Sequence, residues 1–334
     1  MSGNLLEIND LYTSFRIHNE YYAAVDGVSI SVKPNEVFAI VGESGCGKSA
    51  LALSILRLHK GFYTKITGGI LYKGDDLLSY TDEELNEVRG KEIGMIFQDP
   101  LTALNPLMKI GAQIEETLLF HTGMGAGERA DRALELLNSV GIERPNLTYK
   151  QYPHELSGGM RQRAMIAIAL VCRPSLVIAD EPTTALDVTI QAQILDLLRE
   201  LQKETQSAVI LITHDLSVVA EMAHRVAVMY AGQIVETGNV NEIFHNPRHP
   251  YTRSLLASNP SFADEAEGGD GFLHVIEGMV PPLDKMPRTG CRFSSRIPWI
   301  DAGAHEQEPA YHKIGDDHIV QCTCHEGFIF KEDK

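Results

Sequence analysis

Five short apolar runs rich in β-branched residues punctuate the chain, at residues 37–41, 93–97, 176–179, 209–213 and 226–229. Unbroken apolar runs of this length suit strands covered on both faces. Between several of them the period lengthens. Over residues 189–205, Ile190, Ile194, Leu197, Leu198 and Leu201 share one face of a helix, while Arg199, Glu200 and Lys203 fall elsewhere. Strands alternating with helices predict an α/β fold, a mostly parallel sheet with helices packed on it.

From Asp99 to about Leu156 the strand signals stop, and the pattern around Arg132 to Val140 predicts a helix. The stretch is expected to be an inserted helical subdomain. Beyond about Asn241 the texture changes again, with Asn246-Pro247-Arg248-His249-Pro250, a polar run at 264–270, and Pro281-Pro282. These predict a linker and a small C-terminal appendage.

The 334 residues, 44% hydrophobic and 22% charged, hold enough apolar material for one large core or two smaller ones. No apolar stretch approaches the roughly 20 residues that a membrane-crossing helix needs. Glu7 and Asp10 stand where a secretory signal would carry basic residues, so a cytosolic protein is expected. A net charge of −16 argues against broad nucleic-acid binding but not against a mononucleotide, which needs only a few local donors. Five scattered cysteines do not suggest a disulfide framework, and Cys46 and Cys172 read as small apolar fillers.

The first strand runs into Gly42-Glu43-Ser44-Gly45-Cys46-Gly47-Lys48-Ser49, with a helical stretch expected over 50–58 from Ala50 onward. This is a phosphate-binding loop in its proper strand and helix context. The glycines let backbone N–H groups converge on phosphate oxygens, and the helix turns its positive end to the same anion. Lys48 is expected on the β- and γ-phosphates and Ser49 on Mg²⁺. The loop alone does not separate ATPases, GTPases and kinases. The run 176–179 ends in Asp180 and Glu181, which places two carboxylates at the carboxyl end of the sheet. Asp180 is the candidate for Mg²⁺ and Glu181 for the base that activates water. The plainer alternative is a helix N-cap.

Leu156-Ser157-Gly158-Gly159-Met160-Arg161-Gln162-Arg163 precedes that strand. Ser157 and two glycines opening a helix form a second anion-binding terminus. This element resembles the signature sequence of the ABC ATPase family, with Met160 where many members have Gln. The resemblance implies a RecA-like P-loop nucleotide-binding core over 1–98 and 157–240, including an N-terminal antiparallel β region. It also implies a helical subdomain over 99–156 and the C-terminal appendage over 241–334.

In such a protein, Gln98 resembles the glutamine that senses Mg²⁺ and the attacking water. Asp187, in Thr184-Ala185-Leu186-Asp187, resembles the residue that communicates between paired sites, and His214 resembles the switch histidine on the γ-phosphate. Phe15 matches the aromatic that stacks on adenine, with Tyr21 and Tyr22 as competitors. Ser157, Gly158 and Gly159 imply a grip on ATP held by a second ATPase subunit. The resemblance also implies two transmembrane permease subunits, a substrate-binding protein outside, and a peripheral position on the cytoplasmic face of the membrane.

Residues 97–106, 247–252 and Gly290-Cys291-Arg292-Phe293 resemble the oligopeptide and dipeptide importer branch, which also holds nickel and metallophore importers, and the likeness covers most of 5–295. Chains of that branch often work as heterodimers of ATPases and often carry four C-terminal cysteines, in some an iron–sulfur site. Here Cys291, Cys322 and Cys324 remain, and Ile297 stands at the second position. A [4Fe-4S] cluster usually needs four thiolates, so buried or free thiols are the preferred reading. A metal held with His325 or His318 is the alternative. Two other readings are a soluble ABC ATPase acting on DNA or ribosomes, against which the single cassette and acidic charge weigh, and an exporter subunit.

Overall fold

The computed structural model describes residues 3–184, 187–259, 275–301, 305 and 309–331. Its strands are β1 (Leu6–Ile17), β2 (Glu20–Val32), β3 (Val37–Val41), β4 (Thr64–Tyr72), β5 (Asp75–Asp76) and β6 (Ile93–Ile96) in the first third of the chain. Then come β7 (Leu176–Asp180), β8 (Ala208–Thr213), β9 (Arg225–Tyr230), β10 (Gln233–Asn239), β11 (Tyr311–Lys313) and β12 (Ile319–Gln321). All five apolar runs are strands, each within a residue of its expected ends.

The chain forms two compact units, one drawn from 1–5, 32–36 and 79–212, the other from 6–31, 37–78 and 213–334. In the first unit β6, β7 and β8 lie parallel, with Ile93 opposite Leu176 and Leu176 opposite Ala208. Every described residue of β7 is buried, which is why its sequence is a continuous apolar run. Helix Val188–Thr205 begins at Asp187, whose carboxylate accepts the Ile190 N–H at 3.0 Å, and it buries Ile194, Leu197, Leu198 and Leu201. Between 99 and 156 the described residues form helices Pro100–Ala103, Ile110–His121, Ala126–Ser139 and Pro145–Thr148 and one short 3₁₀ turn, Pro153–Glu155. The helix expected near 132–140 starts earlier because the Gly125 N–H is capped by the Glu128 carboxylate at 2.7 Å.

The second unit holds an antiparallel sheet in the order β2-β1-β4-β5, with Leu6 opposite Tyr72. Its other strands run β11-β12-β10-β9-β3. β3 lies parallel to β9, whereas β9 and β10 form a tight hairpin whose turn residues Ala231 and Gly232 have φ of 49° and 90°. Two positive φ angles in a two-residue loop match the twist of a hairpin. Helix Lys48–Ile55 follows β3 and ends three residues short of the expected stretch, where Arg57 turns left-handed.

At the C-terminal end β12 pairs with β10, Val320 opposite Glu236. Tyr251, Phe293, Val320, Cys322 and Phe328 share one core with Val41, Leu216 and Tyr230. Proline-rich composition suggested a linker, but the aromatic side chains it carries are buried. The polar run 264–270 lies outside the described residues. Among the described residues no helix is long and apolar enough to cross a membrane.

Candidate functional site

The candidate residues divide between the two units. In the second unit the loop from Gly42 to Lys48 connects β3 to helix Lys48–Ile55. Gly42, Gly45 and Gly47 have φ of 154°, 80° and 108°. At Gly47 a Cβ would come within 2.4 Å of the Ala24 carbonyl oxygen, and at Gly42 within 2.1 Å of the Met229 carbonyl oxygen. Neither position has room for a side chain. Gly45 has open space around it, as a loop that lets an anion approach its backbone requires. Cys46 is buried, and burial pushes its thiol up despite Lys48 nearby, as expected of an apolar filler. Ser44 is exposed, while Ser49 and Ala50 in the first helical turn are half-buried.

Lys48 is 4% exposed, and its ammonium group donates to the carbonyls of Gly42 at 2.7 Å and Glu43 at 3.0 Å. The cation is therefore folded over the loop that would receive a phosphate. This donor set fits a nucleotide polyphosphate: a preformed nest of backbone N–H groups, a helix N-terminus and one cation. His214 is exposed just after β8, and Asp215 caps the next helix by accepting the Ser217 N–H at 2.9 Å. Phe15, on β1, meets His59 edge-on at 5.2 Å, and burial lowers that histidine's basicity. Its competitors are placed differently. Tyr21 is 49% exposed, and the Tyr22 hydroxyl donates to Glu20 at 2.7 Å.

In the first unit Asp180, the last residue of β7, is 5% exposed. Glu181 follows with φ of 46°, a left-handed conformation that costs an ordinary residue roughly 1–3 kcal/mol and clusters at functional sites. Its backbone N–H donates to the Ile212 carbonyl at 2.9 Å. Its carboxylate oxygen Oε2 accepts from Gln98 Nε2 at 2.9 Å and from Thr184 Oγ1 at 2.7 Å. A strained backbone and two donors hold the carboxylate in one orientation.

Ser157 is exposed and caps helix Gly158–Leu170, its hydroxyl accepting the Met160 N–H at 3.3 Å. Gly159 sits against Ile190, where a Cβ would approach to 3.2 Å. Gln162, from the same helix, is buried and donates to the Pro182 carbonyl at 2.5 Å. The signature helix is thereby tied to the acidic turn. Gln191 makes a second tie to that turn, donating to the Thr183 carbonyl at 3.1 Å. Asp187 serves as an N-cap, while Ala185 and Leu186 of its loop lie outside the described residues.

The tail cysteines do not fit a four-thiolate cluster. The sulfurs of Cys322 and Cys324 stand 3.4 Å apart, and the Cys322 thiol is pushed up first by its hydrogen bond to Cys324 and then by burial. Burial also raises Cys291. Ile297 is 1% exposed and offers no ligand atom. His325 Nδ1 is engaged with the Cys322 carbonyl at 2.9 Å, and His318 Nε2 with Glu236 at 2.7 Å. Among the described residues no group of three histidine, cysteine or acidic side chains is arranged to hold a metal.

Sequence reasoning passed over Thr184, Glu43, Tyr251 and Arg296 as site residues. The first three stood inside stretches already singled out, and Arg296 carried no signal of its own.

Comparison with known proteins adds relatives to this geometry. Residues 25–184 match a family described as ABC transporter, and residues 235–299 match the C-terminal region of oligopeptide/dipeptide transporters. The chain is 49% identical over 334 residues to the oligopeptide transport ATP-binding protein OppD of Lactococcus lactis subsp. cremoris, covering 100% of this chain and 98% of the relative. It is 50% identical over 320 residues to OppD of Bacillus subtilis, covering 95% and 88%. Among solved structures it resembles the dimeric ATP-binding cassette MJ0796 in a post-hydrolysis state bound to ADP and phosphate. There the TM-score is 0.64 at 30% identity, over 70% of this chain and 98% of that one.

Proposed function

This chain belongs to the ABC transporter family, as the ATP-hydrolysing subunit of a peptide importer, and from that premise we propose how its residues divide the work. Lys48 and the backbone N–H groups of Gly45 to Ser49 hold the triphosphate. Ser49, Gln98 and Asp180 hold Mg²⁺, which when bound neutralises charge on the phosphate oxygens. Glu181 accepts the proton of the attacking water, His214 touches the γ-phosphate, and Phe15 stacks on adenine. The observation that carries the assignment of the base is the pair of donors, Gln98 and Thr184, that orient the Glu181 carboxylate.

Ser157, Gly158 and Gly159 close on ATP bound by a second, related ATPase subunit. ATP binding draws the two subunits together and hydrolysis lets them part, a two-state element that a transporter can couple to. The residues between 99 and 156 receive the membrane subunits. On this reading the protein sits at the cytoplasmic face of the membrane with two permease subunits and an external peptide-binding protein, and binds no nucleic acid. Leu107 and Phe120, 85% and 73% exposed in that helical segment, support the docking role.

Purification of the tagged chain from membranes in mild detergent tests this assembly. Two polytopic membrane proteins and a second ATPase should remain bound. Nucleic acid or ribosomes without membrane proteins would overturn it.

A further inference from the structure

The phosphate loop is gripped by residues more than 200 positions downstream. Arg296, in the short turn Ser294–Arg296, is 6% exposed, and its guanidinium forms a fork on the Glu43 carboxylate: Nη1 to Oε2 at 2.6 Å and Nη2 to Oε1 at 3.1 Å. The fork is held in turn by the carbonyls of Glu277 at 2.8 Å and of Ile276 and Gly278 at 3.2 Å. The rings of Phe293 and Tyr230 lie 5.7 and 5.8 Å from its carbon. A second hold comes from Tyr251, fully buried, whose hydroxyl oxygen accepts the Glu43 N–H at 2.8 Å. Glu43 is thus fixed through its carboxylate and its N–H, while its carbonyl is one of the two that receive Lys48.

Charge explains why such a hold is needed. Glu43 places a carboxylate inside a loop that must accept a triphosphate, and like charges at such short range repel. A bidentate guanidinium cancels that charge and fixes its geometry. We infer that Arg296 is a positioning residue for nucleotide binding: it neutralises Glu43 and holds the loop so that the Glu43 carbonyl keeps Lys48 in place. The C-terminal region is then a working part of the nucleotide site. This inference rests on the reading of the loop as an ATP site.

The test is calorimetric titration of the purified full-length chain with MgATP, alongside the melting temperature of each variant. Arg296→Ala should weaken ATP binding about tenfold. Glu43→Gln in the same chain should return the affinity to within about threefold of wild type, because the charge that needed cancelling is gone. Arg296→Lys, which keeps the charge but loses the fork, should bind more weakly than wild type and more tightly than Arg296→Ala. In the assembled transporter the Arg296→Ala loss should appear in KM for ATP, with kcat at saturating ATP changed by less than about twofold.

A wild-type chain that binds no MgATP would remove the ATP reading itself. A wild-type chain that binds while Arg296→Ala binds equally well would overturn the inference alone. A loss that Glu43→Gln does not relieve would overturn it too. Should Arg296→Ala fail to fold, Arg296→Lys decides the matter: a tenfold loss there, unrelieved by Glu43→Gln, counts against the inference.

Discussion

Gln98 Nε2 donates to Glu181 Oε2 over 2.9 Å, although the two residues lie 83 positions apart in the chain. With Thr184 on the same oxygen, the carboxylate of Glu181 is oriented from two sides. A base aimed in this way contributes roughly 10²- to 10⁴-fold to a proton-transfer step. Glu181→Gln is therefore expected to lower ATP turnover by the assembled transporter at least about 100-fold while leaving ATP bound and the complex closed. Phosphate release at the wild-type rate would remove Glu181 from the role. Gln98→Ala should lower turnover less, because Thr184 still holds the carboxylate.

Lys48 offers a second, separable measurement. Its ammonium group rests on two loop carbonyls, so it is a preformed cation and not a surface charge. Lys48→Ala removes the cation and leaves both carbonyls without their donor. ATP affinity itself should fall, by at least about tenfold, in a direct binding titration. Unchanged affinity would sink the phosphate contact.

What was legible in the sequence follows from where constraint is local. The five apolar runs announced β3, β6, β7, β8 and β9 because strands covered on both faces have no polar positions to confuse the pattern. The phosphate loop was legible because backbone geometry demands glycine at fixed spacing, and Gly42 and Gly47 indeed have no room for a Cβ. The C-terminal half was not. Glu236 carries no signal in the sequence and His318 reads only as a candidate metal ligand, yet both are 1% exposed and bonded to each other at 2.7 Å. Arg296 meets a partner 253 positions away, a pairing that no window of sequence displays. β11 and β12, three residues each with mixed polarity, become strands because β10 offers an edge to β12 and β12 offers one to β11.

Phe293 gives that hidden core a number. It is 1% exposed, and the rings of Tyr230 and Tyr251 approach it at 5.3 and 5.4 Å. Phe293→Ala removes a large aromatic from a site where its neighbours are themselves rigid rings, so the cavity cannot collapse. A loss of about 3–5 kcal/mol is expected in denaturant unfolding. A loss below about 1 kcal/mol would mean that the C-terminal region contributes little to this unit.

His249 makes the same region sensitive to acid. It is 2% exposed, and its Nδ1 accepts the Tyr251 N–H at 3.0 Å, capping helix Pro250–Ala257. Burial lowers its pKa from 6.5 to about 4, with Glu236 opposing the shift. The folded chain thus keeps the ring neutral where the unfolded chain would protonate it. The resulting stability is complete above the unfolded value near 6.5 and is lost as pH falls toward about 4. Protonation at Nδ1 would also abolish the cap beside Tyr251. The span corresponds to about 3 kcal/mol, with the opposing pull of Glu236 already included. Melting temperatures measured from neutral pH down to the acid limit should therefore fall more steeply for wild type than for His249→Asn. That variant retains a capping acceptor but has nothing to titrate. Parallel curves would show that the acid sensitivity arises elsewhere.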